Sequence, residues 1–453
     1  MTAGSPASIW DRERGWVTVG AFALIFLGAI EALAMTTVMP VVSDALDGEA
    51  LFAVAFAGTL ATSVIGMVAC GAWSDARGPR GALYLAVTLF VIGLIISGFA
   101  FTMEQFLIGR LVQGLGAGGQ TVALYVIVAR LYPPQLHGRV FAAFAAAWVV
   151  PAMVGPFVAG AVAEFLDWRW AFLGVAVLTV IAFAMMAIRL RGVDLGGGEM
   201  MDVGVVWRRL LLASVVAIAA VAVGLSADAV PVVGWPVAAA AVVVIGFAVV
   251  PLLPAGTLRA GRGLASVVLV RGLVAGGFFA AEAYIPYLLM KKFDFSPTWA
   301  GIALMLAAFA WAGGSALQGV YGELLGNRRI ALISLALILA AVTSVLVTML
   351  ADAAPIVIIV GWSLAGGGMG LLYPRLTVLT LAYSGPGNTG FNSSALSISD
   401  ATGSAVAVAL AGLGVATLGG GVDEFSVVYV FCIALILVAV VPALRLGHGA
   451  EVT

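Results

Sequence analysis

The sequence is a succession of apolar runs, each too long for the core of a water-soluble domain of this size. Fourteen follow one another, near 16–40, 51–72, 81–101, 104–130, 140–163, 169–189, 209–227, 232–253, 265–290, 297–320, 330–350, 354–382, 392–418 and 425–445. Each is close to the ~20 residues a helix needs to cross a bilayer core at a rise of about 1.5 Å per residue. Barrel strands would read as alternating segments of about ten residues, and these do not. Backbone polar groups in lipid must be satisfied within the segment, which leaves helices. Composition agrees: 63% of the chain is hydrophobic and 9% charged, against roughly 25% charged in soluble domains. The pattern predicts an all-α polytopic membrane protein with fourteen spans.

The few charges carry the topology. If both termini are cytoplasmic, one side collects Arg12, Arg14, Arg77, Arg80, Arg130, Arg139, Arg189, Arg191, Arg208, Arg209, Arg259, Arg262, Arg328, Arg329 and Arg445, fifteen of the twenty-one Lys and Arg. The other side has three, Arg169, Lys291 and Lys292, and Arg110, Arg271 and Arg375 fall within runs. That asymmetry satisfies the positive-inside rule for an even number of spans. The first run is too long for a cleavable leader and ends in MPVVSDAL, not in a small-residue cleavage site. A formal net charge of −1 gives no bulk attraction to nucleic acid. Cys70 and Cys432 sit in apolar stretches and His137 and His448 in polar ones, so no disulfide framework, metal site or other cofactor is expected.

A shift of 251 residues aligns the chain with itself: Glu31 falls on Glu282, Gly71 on Gly322, Arg77 on Arg328, and RLVQGLGAGG at 110–119 on GWSLAGGGMG at 361–370. Two parallel six-helix halves with a spacer pair follow. The expected units are an N-terminal bundle at 1–190, cytoplasmic linkers and a two-helix spacer at 191–262, and a C-terminal bundle at 263–453. Internal repeats of this kind place a substrate near the midplane between halves.

Particular residues then point to a family. GAWSDARGPRGAL at 71–83 resembles the signature turn G-x-x-x-D-x-x-G-x-[RK]-x-x-L of the major facilitator superfamily, with Gly71, Asp75, Gly78, Arg80 and Leu83 matching. IEALAMTTVMP resembles the first-span signature of fourteen-span drug/proton antiporters, with Glu31 in place of Asp and Pro40 kept. Arg110, Gln113, Gly114 and Gly116 resemble R-x-x-Q-G-x-G. Gly155, Pro156 and Gly160 resemble part of G-x-x-x-G-P-x-x-G-G, with Pro151 and Ala159 where two glycines stand in the family. DWRWAF at 167–172 resembles the segment leading into the sixth span. The resemblance covers nearly the whole chain. It implies a multi-pass carrier working by alternating access, with Gly71, Asp75, Gly78, Arg80, Gly155 and Pro156 at gates; the Arg-rich, Lys-poor usage points to the inner (plasma) membrane of a bacterium, and a monomer suffices if the two halves make one pathway.

A charge near the midplane costs roughly 2.5–3.5 kcal/mol on insertion scales, so each needs a reason. Glu31 and Arg110 fall in the same half of the bilayer, where the geometry implied by the family resemblance would let them meet, with Glu31 carrying protons as its distance to Arg110 and its access to water change. Glu282 has Gly361 at the position matching Arg110, so it is either protonated at rest or a site for a cationic substrate. Asp400 and Arg375 lie at similar depth and are expected to pair, as a structural link or a second proton site. Arg271 is expected to reach to the interface. Aromatic side chains that could line a cavity are Tyr125, Phe141, Trp148, Phe279, Tyr284, Tyr287 and Trp311, with Gln113, Gln120, Asn392 and Ser393 as polar candidates. Neither a metal-ligating set nor a GxxxxGK[ST] phosphate loop occurs, which argues against an enzyme or an ATP-driven pump. The leading reading is a proton-coupled antiporter for multidrug efflux, exporting small amphipathic or cationic molecules. A carrier for metabolite uptake or lipid export comes next, and a scaffold or sensor without transport last.

Overall fold

The computed structural model describes residues 15–132, 134–191, 195, 203–226, 231–384, 389–417 and 425–447. Fourteen α-helices account for the fold, and the described residues contain no strand: α1 (Gly15–Ala45), α2 (Phe52–Arg77), α3 (Pro79–Gly98), α4 (Met103–Leu131), α5 (Pro134–Phe165), α6 (Trp170–Leu190), α7 (Val203–Leu225), α8 (Pro231–Val249), α9 (Leu264–Phe293), α10 (Pro297–Leu325), α11 (Asn327–Leu350), α12 (Ile356–Ala382), α13 (Thr389–Thr417) and α14 (Ser426–Ala443). Thirteen carry a stretch long and apolar enough to cross a bilayer, and α5 contributes the apolar stretch Val150–Phe165. Large apolar side chains remain exposed along the outside, such as Val232, Phe247, Leu324 and Ile218. Water would penalise such a surface; lipid does not.

Helix pairing repeats. In the first set α1 packs on α5 and α6, α4 on α2 and α3, and α3 on α6; in the second α9 packs on α13 and α14, α12 on α10 and α11, and α11 on α14. The sets meet where α2 lies on α13 and α5 on α10. The spacer helix α7 rests on both α2 and α13, covering that seam from outside, and α8 lies on α7.

Glycines set the register of the repeat, because they let two backbones touch. A Cβ on Gly114 would strike the Thr59 carbonyl, as one on Gly366 would strike that of Ala307. Gly118 meets Ser63 as Gly370 meets Trp311, and Gly116 meets Ala86 and Phe90 as Gly368 meets Ser334 and Ile338. So α4 maps onto α12 with a shift of 252 residues (Gly114 to Gly366), while α2 and α3 map onto α10 and α11 with a shift of 248 (Thr59 to Ala307). The single shift of 251 is corrected by this. α11 has 24 residues where α3 has 20, and a gapless comparison settles between the two true registers. Two consequences follow. Arg110 corresponds to Trp362, not Gly361. The signature turn occurs twice, as Gly71, Asp75, Gly78, Arg80 and as Gly319, Glu323, Gly326, Arg328.

Both copies of the turn are built alike. Gly78 ends α2 and begins α3 at φ 84° and ψ 155°; Gly326 does the same between α10 and α11 at φ 74° and ψ 158°. Side chains with a Cβ resist that region, so glycine is what allows one helix to turn into the next without a loop. Pro79 then occupies the first position of α3, where its missing N–H costs nothing.

Candidate functional site

α1 and α4 present the first polar group. Arg110 Nη1 donates to Glu31 Oε1 and to Gln113 Oε1, the latter at 2.7 Å. Glu31 is 5% exposed, Arg110 3% and Gln113 not at all. About two turns further along α4, Gln120 Nε2 donates to the Leu24 carbonyl at 3.0 Å and ties α4 to α1 again. The expected pair of Glu31 and Arg110 is thus brought together, inside the first helix set. A buried ion pair of this kind resists loss of either partner, because the survivor is left as an uncompensated charge.

The second group lies on α9 and its neighbours. Glu282 is only partly buried although it sits deep in the bundle. Its carboxyl lies close to the Trp362 indole, whose buried Nε1 has no acceptor in good hydrogen-bond geometry. Phe278 stacks on Trp362 with centroids 5.1 Å apart and meets Trp311 edge-on at 5.7 Å; Trp311 meets Tyr373 at 5.3 Å. This aromatic wall holds the expected site residues Glu282 and Trp311, and Trp362 and Phe278, which sequence reasoning missed. Trp362 was discoverable: the shift of 252 puts it where Arg110 stands.

Asp400 does not pair with Arg375. Arg271 Nε donates to Asp400 Oδ1 at 2.8 Å, and the Tyr373 hydroxyl donates to the same oxygen at 2.8 Å. Arg271 stacks on Tyr373, with Cζ 3.4 Å from the ring centroid, so it does not reach to the interface as expected. Arg375 instead donates from Nε to Asn327 Oδ1 at 2.6 Å, and Asn327 Nδ2 donates to the Gly447 carbonyl at 2.7 Å. The reason is azimuth. Tyr373 and Arg375 are two positions apart on one helix, about 200° around its axis, so only one of them can face α9.

Tyr125 stacks on Phe144 of α5, interacts electrostatically with Arg271 of α9 in the second helix set, and is still 44% exposed. Trp148, 47% exposed, is on the same face of α5 as Phe144 and as Gly155, which lies against Leu33 and Ile30 of α1. Tyr284 and Tyr287 have a different setting from the expected cavity lining. They pack on Phe52 of α2 at 5.2 and 5.3 Å, and Tyr287 also packs on Phe425 at 5.2 Å. Asn392 is likewise engaged elsewhere, donating from Nδ2 to Ser384 Oγ at 2.8 Å. The side chains of Asp75 and Phe141 lie outside the described residues.

The helix sets are fastened together at the face where α1 ends and α2 begins. Lys291 of α9 reaches Glu49 at 2.8 Å and Asp44 at 3.5 Å, and Tyr287 donates to Glu49 Oε1 at 2.7 Å. The Thr298 N–H, in the first turn of α10, donates to Glu164 of α5 at 3.1 Å. Nearby, a Cβ on Gly301 would lie 2.2 Å from the Pro156 carbonyl oxygen and one on Gly160 2.3 Å from that of Pro297. Of the expected gate residues, Pro156 is therefore at this seam, whereas Gly155 lies against α1. Glu49 is held below the ordinary carboxylate range by the hydrogen bonds from Lys291 and Tyr287. At the arginine-rich face, Arg130 of α4 donates from Nη2 to the Ser74 carbonyl beside the signature turn and from Nη1 to Leu195, both at 3.0 Å. Gly78 makes the turn, and Arg80 is half-buried on the first turn of α3. Gly71 meets only Val122 at 3.6 Å, an ordinary contact, so close helix approach is not what its glycine serves.

Two six-helix sets joined at one face, each with a buried ionisable group and with a spacer pair outside, define a multi-pass membrane protein built on an internal repeat. Comparison with known proteins narrows this further. A family profile described as Major Facilitator Superfamily matches residues 20–263, more than half of the chain, and the chain belongs to that family. It is similar to "MFS transporter L2" of Phoma sp., 29% identical over 201 residues, covering 40% of this chain and 33% of the relative. It is also similar to "Multidrug resistance protein 3" of Bacillus subtilis, 27% identical over 157 residues, covering 35% and 31%. The chain thus spans about a third of the length of these relatives. Among solved structures, an auto-inhibited POT family peptide transporter superposes with a TM-score of 0.69 over 96% of this chain and 98% of the other, at 16% identity. That likeness is one of fold.

Proposed function

We propose that the chain is a proton-coupled antiporter of the fourteen-span drug/proton type, exporting small amphipathic or cationic compounds by alternating access. The observation that carries this reading is the Glu31–Arg110–Gln113 group, closed off from solvent between α1 and α4. While the pair is intact, Glu31 is compensated as a carboxylate. When α1 and α4 shift and the contact lengthens, an unpaired buried charge is costly and a proton neutralises it. Proton uptake and release are thereby tied to helix movement. Glu282, near a neutral indole and only partly buried, offers a cationic group a partner without a competing arginine. Relatives with efflux in their printed names, such as "MFS efflux transporter aclA" of Aspergillus oryzae at 34% identity over 148 residues, support export.

In this reading the arginine-rich face and both termini are cytoplasmic, and the units are 1–190, 191–262 and 263–453. The protein acts as a monomer in the plasma membrane with no cofactor beyond protons and substrate. The relatives come from bacteria and fungi alike, and the Arg-rich, Lys-poor composition favours a bacterial source. The experiment is proton flux from proteoliposomes holding a pH gradient, on addition of a lipophilic cation, with wild type and Glu31→Gln. Substrate-driven proton movement opposite to substrate, lost in Glu31→Gln, is expected. Movement of both in one direction makes the protein a symporting uptake carrier, and absence of flux with any compound makes it a scaffold or sensor.

A further inference from the structure

Arg271 has an open edge. Its Nε is held by Asp400 Oδ1 and its plane lies on Tyr373, which fixes the guanidinium without using its two terminal nitrogens. Among the described residues no acceptor bonds to Nη1 or Nη2, and neither is sealed from solvent. The Arg271 and Asp400 side chains are 16% and 26% exposed, whereas Arg110, whose Nη1 is shared by two acceptors, is 4%. From the first helix set, Tyr125 of α4, itself 44% exposed, interacts electrostatically with Arg271. A membrane arginine with only one of its three nitrogens engaged is an incomplete structural pair. The parallel N–H groups of such a fork match the two oxygens of a carboxylate.

The surroundings say what else the ligand carries. Arg271, Phe278 and Glu282 recur at helical spacing along one face of α9. Tyr373 leads from Arg271 to Trp311, and Trp311 to Phe278. Tyr373 and Phe278 are buried, at 9% and 1% exposed, and Trp311 between them is half-buried, so Trp311 is the aromatic side chain this relay leaves open beside the Arg271 fork.

We propose that the Nη1 and Nη2 groups of Arg271 bind a carboxylate on the transported molecule, whose apolar body lies against Trp311. This deepens the transporter reading and rests on it. The substrate class is then amphipathic acids, including compounds that also bear the basic group suited to Glu282. Asp400 and Tyr373 are positioning residues: one fixes the edge of the guanidinium, the other supports its face.

The test uses the full chain in nanodiscs and three probes that share one aromatic body: 4-phenylbutyrate, its methyl ester and 4-phenylbutylamine. Affinities are measured by calorimetry on wild type, Arg271→Gln and Arg271→Lys, each first shown to melt as a folded protein. The acid is expected to bind at least tenfold more tightly than the ester. It should lose about tenfold or more in both variants, since lysine keeps the charge and the Asp400 contact but not the fork. The amine should change little in either. An ester that binds as well as the acid, no binding of the acid, or an acid affinity unchanged in Arg271→Lys overturns the assignment. Proton flux separates this from the broader reading: acid binding without any proton movement leaves the site and removes the antiporter, while proton movement with the amine alone does the reverse.

Discussion

The seam between α5 and α10 is made of backbone against backbone, and a single methyl group tests it. In Gly301→Ala the new Cβ would lie 2.2 Å from the Pro156 carbonyl oxygen. The closest ordinary contact is 3.4 Å, so the seam must open by about 1.2 Å at that point. Side-chain repacking cannot relieve this, because the opposing atom is backbone, and Gly160 against Pro297 leaves no slack one turn away. Overpacking of this kind costs about 1–3 kcal/mol. If the fastened face is one of two states, the same energy moves their ratio by about 5–150-fold toward separation. The assay is maleimide labelling of Ser296→Cys, which lies beside the seam at the start of α10; the native Cys70 and Cys432 are buried and give a low background. Labelling should rise at least fivefold in Gly301→Ala. Gly71→Ala, whose Cβ meets Val122 at 3.6 Å, should leave the rate and the melting temperature as in wild type. If Gly301→Ala labels at the wild-type rate, or loses stability without faster labelling, the seam is not where the helix sets separate.

Two further outcomes are expected. Replacing one partner of the Glu31–Arg110 pair, as Arg110→Met or Glu31→Gln, should cost about 3–5 kcal/mol, and the double variant less than the sum; thermal unfolding of the four proteins in one detergent checks this, and simple additivity refutes it. Glu49 is held below its ordinary range by Lys291 and Tyr287, so its stabilising contribution is complete above the usual carboxylate value and fades as pH falls through the lowered one. Glu49→Gln should therefore melt below wild type near neutral pH and converge with it at acid pH, by a small margin because Glu49 is largely exposed and screened; a gap that widens toward acid contradicts the assignment.

How much of this was legible depends on which coordinate of a helix is asked for. Depth is written plainly, because rise per residue is constant. That is why fourteen runs became fourteen helices, and why Glu31 and Arg110, placed in the same half of the bilayer, are found bonded. Azimuth is not plain without knowing which neighbours a helix has. Arg375 has the depth to meet Asp400 but the wrong bearing, and Tyr373 takes that place. Arg271, expected at the interface, is drawn inward by an acid on α13 that its own helix does not predict. Tyr284 and Tyr287 show a third limit. Composition marks them as aromatic and membrane-embedded, but whether they line a cavity or fasten two helix sets depends on Phe52, more than two hundred residues away in sequence. The repeat was visible and its register was not, since α11 has 24 residues where α3 has 20 and so shifts α12 relative to α4.

The corrected register sharpens the functional argument. At equivalent positions α4 carries Arg110 and α12 carries Trp362, and each lies by an acid, on α1 in one case and on α9 in the other. The charge of Glu31 is matched within its own helix set and shielded from solvent, so it responds to movement of α1 against α4. Glu282 meets a neutral donor and is only partly buried, so on the proposed reading it responds to a cation that reaches it. A cation there and a carboxylate at the Arg271 edge would both change the field between the helix sets without touching Glu31. On the proposed mechanism, coupling must then run through the motion that separates the sets, not through direct competition for one carboxylate. The same reasoning makes Trp362→Arg informative. It would give the second acid the partner that the first one has, pair it internally, and abolish cation binding at Glu282 while leaving the Glu31–Arg110 contact intact. Undiminished binding of a lipophilic cation by a folded Trp362→Arg protein would mean that Glu282 is not where cations are read.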